Sequence, residues 1–233
     1  MSEARRVLIT RPEPDASATA RLIEDRGGVP VVAPILTIGP RPAPLPIEPG
    51  TVLAFTSANG VRAYARSGAP ARPACCVGPV TAAAAREAGL PVAGIAAGDV
   101  ASLAELLVAA RPASVLHVRG VQAAGDLAGR LAAAGLRVKA AALYEAVPAE
   151  RLPETAETAL RAGCDALLYS PRSARLLAAL MRRADVAEAL TTRRLGALSQ
   201  AVADAFDLPA GEVLIPPMPS SSGLVDFLLQ RRT

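Results

Sequence analysis

Short apolar runs alternate with longer runs of helical period along nearly the whole chain. Val7-Leu-Ile-Thr10, Val52-Leu-Ala-Phe55, Cys75-Cys-Val77, Val92 to Ile95, Ala166-Leu-Leu-Tyr169, Leu195-Gly-Ala-Leu198 and Val213-Leu-Ile215 are apolar at consecutive positions, as strands buried on both faces are. Between them lie Ala/Leu-rich stretches that stop at glycine, notably Gly27-Gly28, Gly89 and Gly135. Regular alternation of strand and helix predicts an α/β chain with parallel sheets covered by helices on both sides.

One stretch repeats another. Val115-Leu-His-Val-Arg119 stands 108 positions after Val7-Leu-Ile-Thr-Arg11, since 115 minus 7 is 108, and Gly135 stands in the same relation to Gly27. Each copy reads as a β-α-β unit. In the first, a strand at Val7 to Thr10 leads to a helix that Asp15 is placed to cap, then to a second strand over Val29 to Ile38. Leu36 in that second strand corresponds to Tyr144 in the second copy. After it comes Gly39-Pro-Arg-Pro-Ala-Pro-Leu-Pro-Ile-Glu-Pro49, whose alternate prolines hold it extended. At ~3.1 Å per residue, ten such residues reach roughly 30 Å, enough for a linker across a small domain. Two domains are expected from a duplicated chain of 233 residues, and periodicity alone would cut it near residue 112.

Composition narrows the function. With 52% of residues apolar but only 3% aromatic, a core must rest on Ala, Leu and Val, and stacking on nucleic-acid bases is poorly supplied. The net charge of +4 is carried by scattered arginines, Lys139 being the only lysine, which suits a small polyanion better than a polynucleotide. Cys75, Cys76 and Cys164 have no metal or disulfide spacing. No apolar leader or membrane-length run occurs, so a cytoplasmic protein without membrane partners is expected. There is no GxGxxG, no GxxxxGK[ST] and no GxSxG. His117 lies inside an apolar strand and reads as a core histidine. Asp99, Asp126 and Asp165 are not paired with other acids at short spacing. No cofactor and no metal are expected, and chemistry must come from positioning, backbone dipoles and hydroxyls.

In parallel α/β sheets, ligands bind beyond the carboxyl ends of the strands, where helix N-termini present free N–H groups. Those ends here are Thr56-Ser57-Ala-Asn-Gly60, Gly78-Pro-Val-Thr81, Ser170-Pro-Arg-Ser173, Ser199-Gln-Ala-Val202 and Pro219-Ser-Ser-Ser-Gly223. Each hydroxyl can equally serve as a cap for its own helix.

These segments, in this order, resemble the uroporphyrinogen-III synthase family. The resemblance is carried by Val-Leu-Ile-Thr-Arg-Pro12, Phe-Thr-Ser-Ala-Asn59, Val-Gly-Pro-Val-Thr-Ala82, Val-Leu-His-Val-Arg-Gly120, Leu-Tyr-Glu-Ala-Val147, Tyr-Ser-Pro-Arg-Ser173 and Pro-Ser-Ser-Ser-Gly-Leu224. It implies two flavodoxin-like domains whose strands are exchanged between the sequence halves. Residues 1–36 would join 150–233, residues 50–141 would form the second domain, and 37–49 and 142–149 would be extended connectors.

The implied reaction cyclises hydroxymethylbilane to uroporphyrinogen III, losing water and inverting ring D through a spiro intermediate, without a cofactor. The resemblance implies that Tyr144 assists departure of the hydroxyl. It gives substrate carboxylates to Arg11, Thr56, Ser57, Gly78, Thr81, Arg119, Ser170, Arg172, Ser173 and Ser199. A monomer without nucleic-acid partners is expected. Two positions depart from the family pattern: Ser199 to Val202 lack the Gly-x-x-Thr form of the first copy, and Asp126 stands where an arginine often follows Arg-Gly. A catalytically inactive two-domain module that binds or senses a small polyanion is the alternative.

Overall fold

The computed structural model describes residues 4–122 and 125–230. The chain divides into two compact units, residues 1–37 with 147–233, and residues 38–146.

In the first unit, β1 (Arg6–Ile9), β2 (Val29–Val32), β9 (Asp165–Leu168), β10 (Arg194–Ala197) and β11 (Glu212–Leu214) form one sheet, numbered in chain order along the whole protein. Its order is β11-β10-β9-β1-β2, with every pairing parallel. The strand period of two sends alternate side chains to opposite faces. Val7 and Ile9 therefore pack with Ile23 of α1 (Asp15–Glu24) and Leu224 and Leu228 of α9 (Ser221–Leu229). Leu8 points the other way, to Leu160 of α6 (Glu154–Arg161) and Leu177 of α7 (Pro171–Arg183). The short α8 (Gln200–Asp204) adds Val202 to that second layer.

The second unit is built likewise. Its six strands are β3 (Leu36–Pro40), β4 (Thr51–Phe55), β5 (Ala74–Cys76), β6 (Val92–Ile95), β7 (Ser114–Gly120) and β8 (Val138–Pro148), in the order β3-β8-β7-β4-β5-β6. Leu53 and Phe55 face the layer of α2 (Ala58–Arg66) and α3 (Pro79–Glu87), where Phe55 meets Tyr64 edge-on with ring centroids 6.0 Å apart. Ala54 faces α4 (Val100–Ala110) and α5 (Leu127–Ala133) through Leu103, Leu107 and Leu131.

The internal repeat is visible in the registers. Val7 pairs with Pro30 and Val115 with Val138, both shifted by the same 108 positions. Gly27 and Gly135 end their helices at φ +76° and +78°, a left-handed turn that a Cβ would oppose. Strands β1 and β2 hold the same places in their sheet, next to β9, as β7 and β8 hold next to β4.

Three local expectations change. The run Val29 to Ile38 is two strands: β2 pairs with β1, whereas β3 stands beside β8 in the other sheet. Pro34, which has no N–H to give a ladder, stands at the break. Asp15 does not cap α1, because it lies inside the first turn and pairs with Arg11 at 3.0 Å, while the Glu13 carboxylate accepts from the Ser17 N–H at 3.1 Å. The proline-rich segment has no regular secondary structure over residues 41–48 and is not a bare tether, since Ala43, Leu45 and Ile47 pack on the core of the second unit.

At the amino edge of the five-stranded sheet, Asp165 is 3% exposed and accepts from the Arg194 backbone N–H at 2.9 Å while pairing with Arg5 at 3.1 Å. The Arg194 guanidinium spans Glu212 and the carbonyls of Leu228 and Gln230, joining β10 to β11 and the end of α9.

Candidate functional site

The polar turns stand at the carboxyl edges of both sheets, and three of their hydroxyls, those of Ser57, Ser170 and Ser220, cap the helices that follow. In the first unit, Ser170 opens α7, accepts from the Ser173 N–H at 3.1 Å and lies 2.8 Å from the Ser173 hydroxyl. Ser220 opens α9 and accepts from the Gly223 N–H at 3.0 Å. Ser199 precedes α8 without a side-chain cap bond, so its hydroxyl is not engaged there. Arg172 lies in the first turn of α7.

Arg11 is fastened by its surroundings. Its guanidinium lies over the Tyr169 ring at 4.1 Å, donates to Ser221 at 3.0 Å and pairs with Asp15. Planar stacking plus hydrogen bonding suits arginine rather than lysine. The Tyr169 hydroxyl is buried without a well-formed hydrogen bond, as is that of Thr10. Burial pushes the Tyr169 phenol above its ordinary value, partly offset by the Arg11 charge. A wide cavity of ≈ 660 Å³ also exists in this unit, but it sits at the opposite, amino edge around Gly163 and Arg193, away from these turns.

In the second unit one pair of the predicted residues, Ser57 and Tyr144, is brought into direct contact. Thr56 follows β4 and its hydroxyl lies 3.3 Å from His117 Nε2. His117 is 2% exposed, and burial, with the charge of Arg119, lowers its pKa to about 4. It is therefore neutral at physiological pH and serves as a core residue. The unfolded imidazole takes its proton near pH 6.5, whereas the folded one does so only near 4. Its contribution to stability is present above pH 6.5 and is lost as pH falls toward 4. Chemical unfolding across that window should show stability falling with pH, with a shallower slope in His117→Gln. An unchanged slope would contradict this reading.

Gly78 opens α3 with extended backbone, Pro79 follows as its first residue, and Thr81 in the first turn is 5% exposed. The Arg119 guanidinium folds back on its own strand end, donating to the carbonyls of Gly120 at 3.4 Å and Val121 at 3.2 Å. Asp126, the departure noted in the sequence, caps α5 by accepting from the Gly129 N–H at 2.8 Å.

Tyr144 is the best-defined of the candidates. The register between β7 and β8 slips at its position: Arg119 pairs with Ala142, but Gly120 pairs with Tyr144, so Leu143 is the extra residue of a bulge. Bulges re-aim side chains, and Leu143 and Tyr144 both pack on the same core although strand alternation would separate them. The ring lies against Gly120, where an added Cβ would stand 2.8 Å from Tyr144 Cε2. Its hydroxyl meets Ser57 Oγ at 2.8 Å. Ser57 in turn accepts the Gly60 N–H at 3.2 Å as the cap of α2. Neither the Ser57–Tyr144 bond nor the Arg11–Tyr169 stack was apparent from spacing, because each joins elements remote in sequence.

The sequence pattern of a family described as Uroporphyrinogen-III synthase HemD matches residues 17–226. Among solved structures, a mutant uroporphyrinogen III synthase from the extremely thermophilic bacterium Thermus thermophilus is similar at 21% identity and TM-score 0.54, covering 96% of each chain. Uroporphyrinogen-III synthetase from Helicobacter pylori 26695 is similar at 16% identity and TM-score 0.62, covering 96% of this chain and 97% of that one. No curated protein matches the chain by sequence.

Proposed function

The chain belongs to the uroporphyrinogen-III synthase family of cyclising lyases in tetrapyrrole biosynthesis, and from that premise we propose how its residues convert hydroxymethylbilane to uroporphyrinogen III. The observation that carries the site reading is Tyr144, set on a bulge, seated on Gly120 and hydrogen-bonded to Ser57. A phenolic O–H can donate to the hydroxyl that leaves the bilane. The resulting azafulvene is attacked by the substituted carbon of ring D, and the spiro intermediate reopens and closes with that ring inverted.

The bilane also closes unaided to the uninverted isomer, so the enzyme's main task is to hold one conformation. Substrate carboxylates fall to the polar turns: Thr56, Gly78, Thr81 and Arg119 in the second unit, and Arg11, Ser170, Arg172, Ser173 and Ser199 in the first. Backbone N–H groups at the starts of α2, α3 and α7 add anion-binding capacity. Ser57 belongs to the same set, with its oxygen already engaged by Gly60 and Tyr144.

The strand order of the first unit, numbered within that unit, is 2-1-3-4-5, which supports a flavodoxin-like assignment. The matching places of β7 and β8 support the same for the second, with exchange after β2 and after β8. The boundaries 1–36 with 150–233, and 50–141, follow from that reading, as do connectors at 37–49 and 142–149. A cytoplasmic location suits the family's biosynthetic role, and no described helix is long and apolar enough to cross a membrane. Isomer analysis of the product made from hydroxymethylbilane tests the activity. Mutation of Tyr144 tests the site.

A further inference from the structure

We propose that Ser57 is a positioning residue that relays the N-terminal charge of α2 into the Tyr144 hydroxyl, making the phenolic proton easier to give to the departing hydroxyl. This rests on the reading of Tyr144 as the proton donor and adds a second residue to it. A serine hydroxyl has one proton and two lone pairs. One lone pair of Ser57 is taken by the Gly60 N–H at 3.2 Å, and Tyr144 Oη lies 2.8 Å away on the same oxygen.

Two proton arrangements satisfy these distances. If Tyr144 donated to Ser57, its own proton would be spent within the protein. With Ser57 donating to Tyr144, every bond runs in one direction, Gly60 N–H to Ser57 O–H to Tyr144 O–H, and the last proton is left for the substrate. Successive hydrogen bonds polarise one another, and the partial positive charge at a helix N-terminus favours this direction. Gly120 completes the device: its missing Cβ is what allows the ring to lie where the hydroxyl reaches Ser57.

The step balances within these groups. The C–O bond of the hydroxymethyl arm breaks, its electron pair leaves with oxygen, and the Tyr144 proton joins that oxygen to form water. The phenolate accepts the Ser57 hydrogen bond while it is charged. The pyrrole nitrogen supplies the electrons that form the azafulvene, and the proton released from its N–H restores the phenol.

Ser57→Gly is the informative substitution, because glycine is well tolerated at a helix N-cap while the hydroxyl is lost. Turnover of hydroxymethylbilane should be compared in Ser57→Gly, Ser57→Thr, Tyr144→Phe and the Ser57→Gly/Tyr144→Phe double variant. The expected result is a kcat lower by roughly 10- to 100-fold in Ser57→Gly with KM little changed, the scale of a hydrogen bond to a charged group. Ser57→Thr should recover most of it, and the loss should vanish in the Tyr144→Phe background. A Ser57→Gly loss that persists undiminished in that background, or that falls on KM alone, overturns the relay and leaves Tyr144 in place. Wild-type kcat in Tyr144→Phe removes the donor assignment and the relay together.

Discussion

Tyr144→Phe should lower kcat by about 100-fold or more, toward the roughly 10,000-fold that a well-placed general acid can contribute. The ring would keep its seat on Gly120 and its packing on the core that holds Leu143, so folding should change little. The product made enzymatically should still be the inverted isomer, because the turns that hold the carboxylates are untouched. Rate loss without loss of isomer control separates proton donation from positioning. Turnover at the wild-type rate would assign Tyr144 to packing alone. Rate loss together with a lower unfolding midpoint would do the same, since the hydroxyl would then be acting through the fold.

Asp165→Ala should be the most destabilising single change in the charged network of the first unit, at about 2 to 3 kcal/mol. The carboxylate is buried, and its removal leaves the Arg194 N–H at the start of β10 without its acceptor. The Arg5 partner contributes less, because its side chain is 42% exposed and solvent screens the pair. Asp165→Asn retains a carbonyl that can accept from Arg194 and should recover part of the loss. Urea unfolding is the measurement, and for a chain of two compact units it should be followed by a probe in each rather than read as one two-state transition. The probe in the first unit should move and the other should not. An unchanged midpoint in the first unit would show that the network adds nothing beyond core packing.

Much of this architecture is legible in the sequence because it is local. Strands such as Val7 to Ile9 declare themselves by being apolar at consecutive positions, and Gly27 and Gly135 mark helix ends by a backbone conformation that few other residues accept. The repeat needs only counting, and it even preserves the pairing register. What sequence alone does not carry is register between remote segments. The slip that places Tyr144 opposite Gly120 depends on how β8 settles against β7, and nothing in Leu-Tyr-Glu-Ala-Val announces a bulge.

Similar reasoning covers the site. Ser57 and Tyr144 are 87 positions apart, and Arg5 and Asp165 are 160 apart, so their contacts exist only once the sheets are assembled. Residue type allows Ser57, Ser170 and Ser220 either to cap or to bind a ligand, and all three cap the helices they precede. Asp15 is of a residue type that suits a cap, but the helix begins one residue earlier and Arg11 claims its charge. Pro34 is the one local signal for the break between β2 and β3, and it lies inside an apolar run that otherwise reads as a single strand.

The most direct test of the proposed activity is the isomer composition of the product from hydroxymethylbilane, compared with the same incubation without protein. Uroporphyrinogen III is expected as the dominant product, formed faster than spontaneous closure and unaffected by prior dialysis against a chelator. A product consisting of the uninverted isomer, formed at the spontaneous rate, would contradict it and leave a module that binds a polyanion without turning it over.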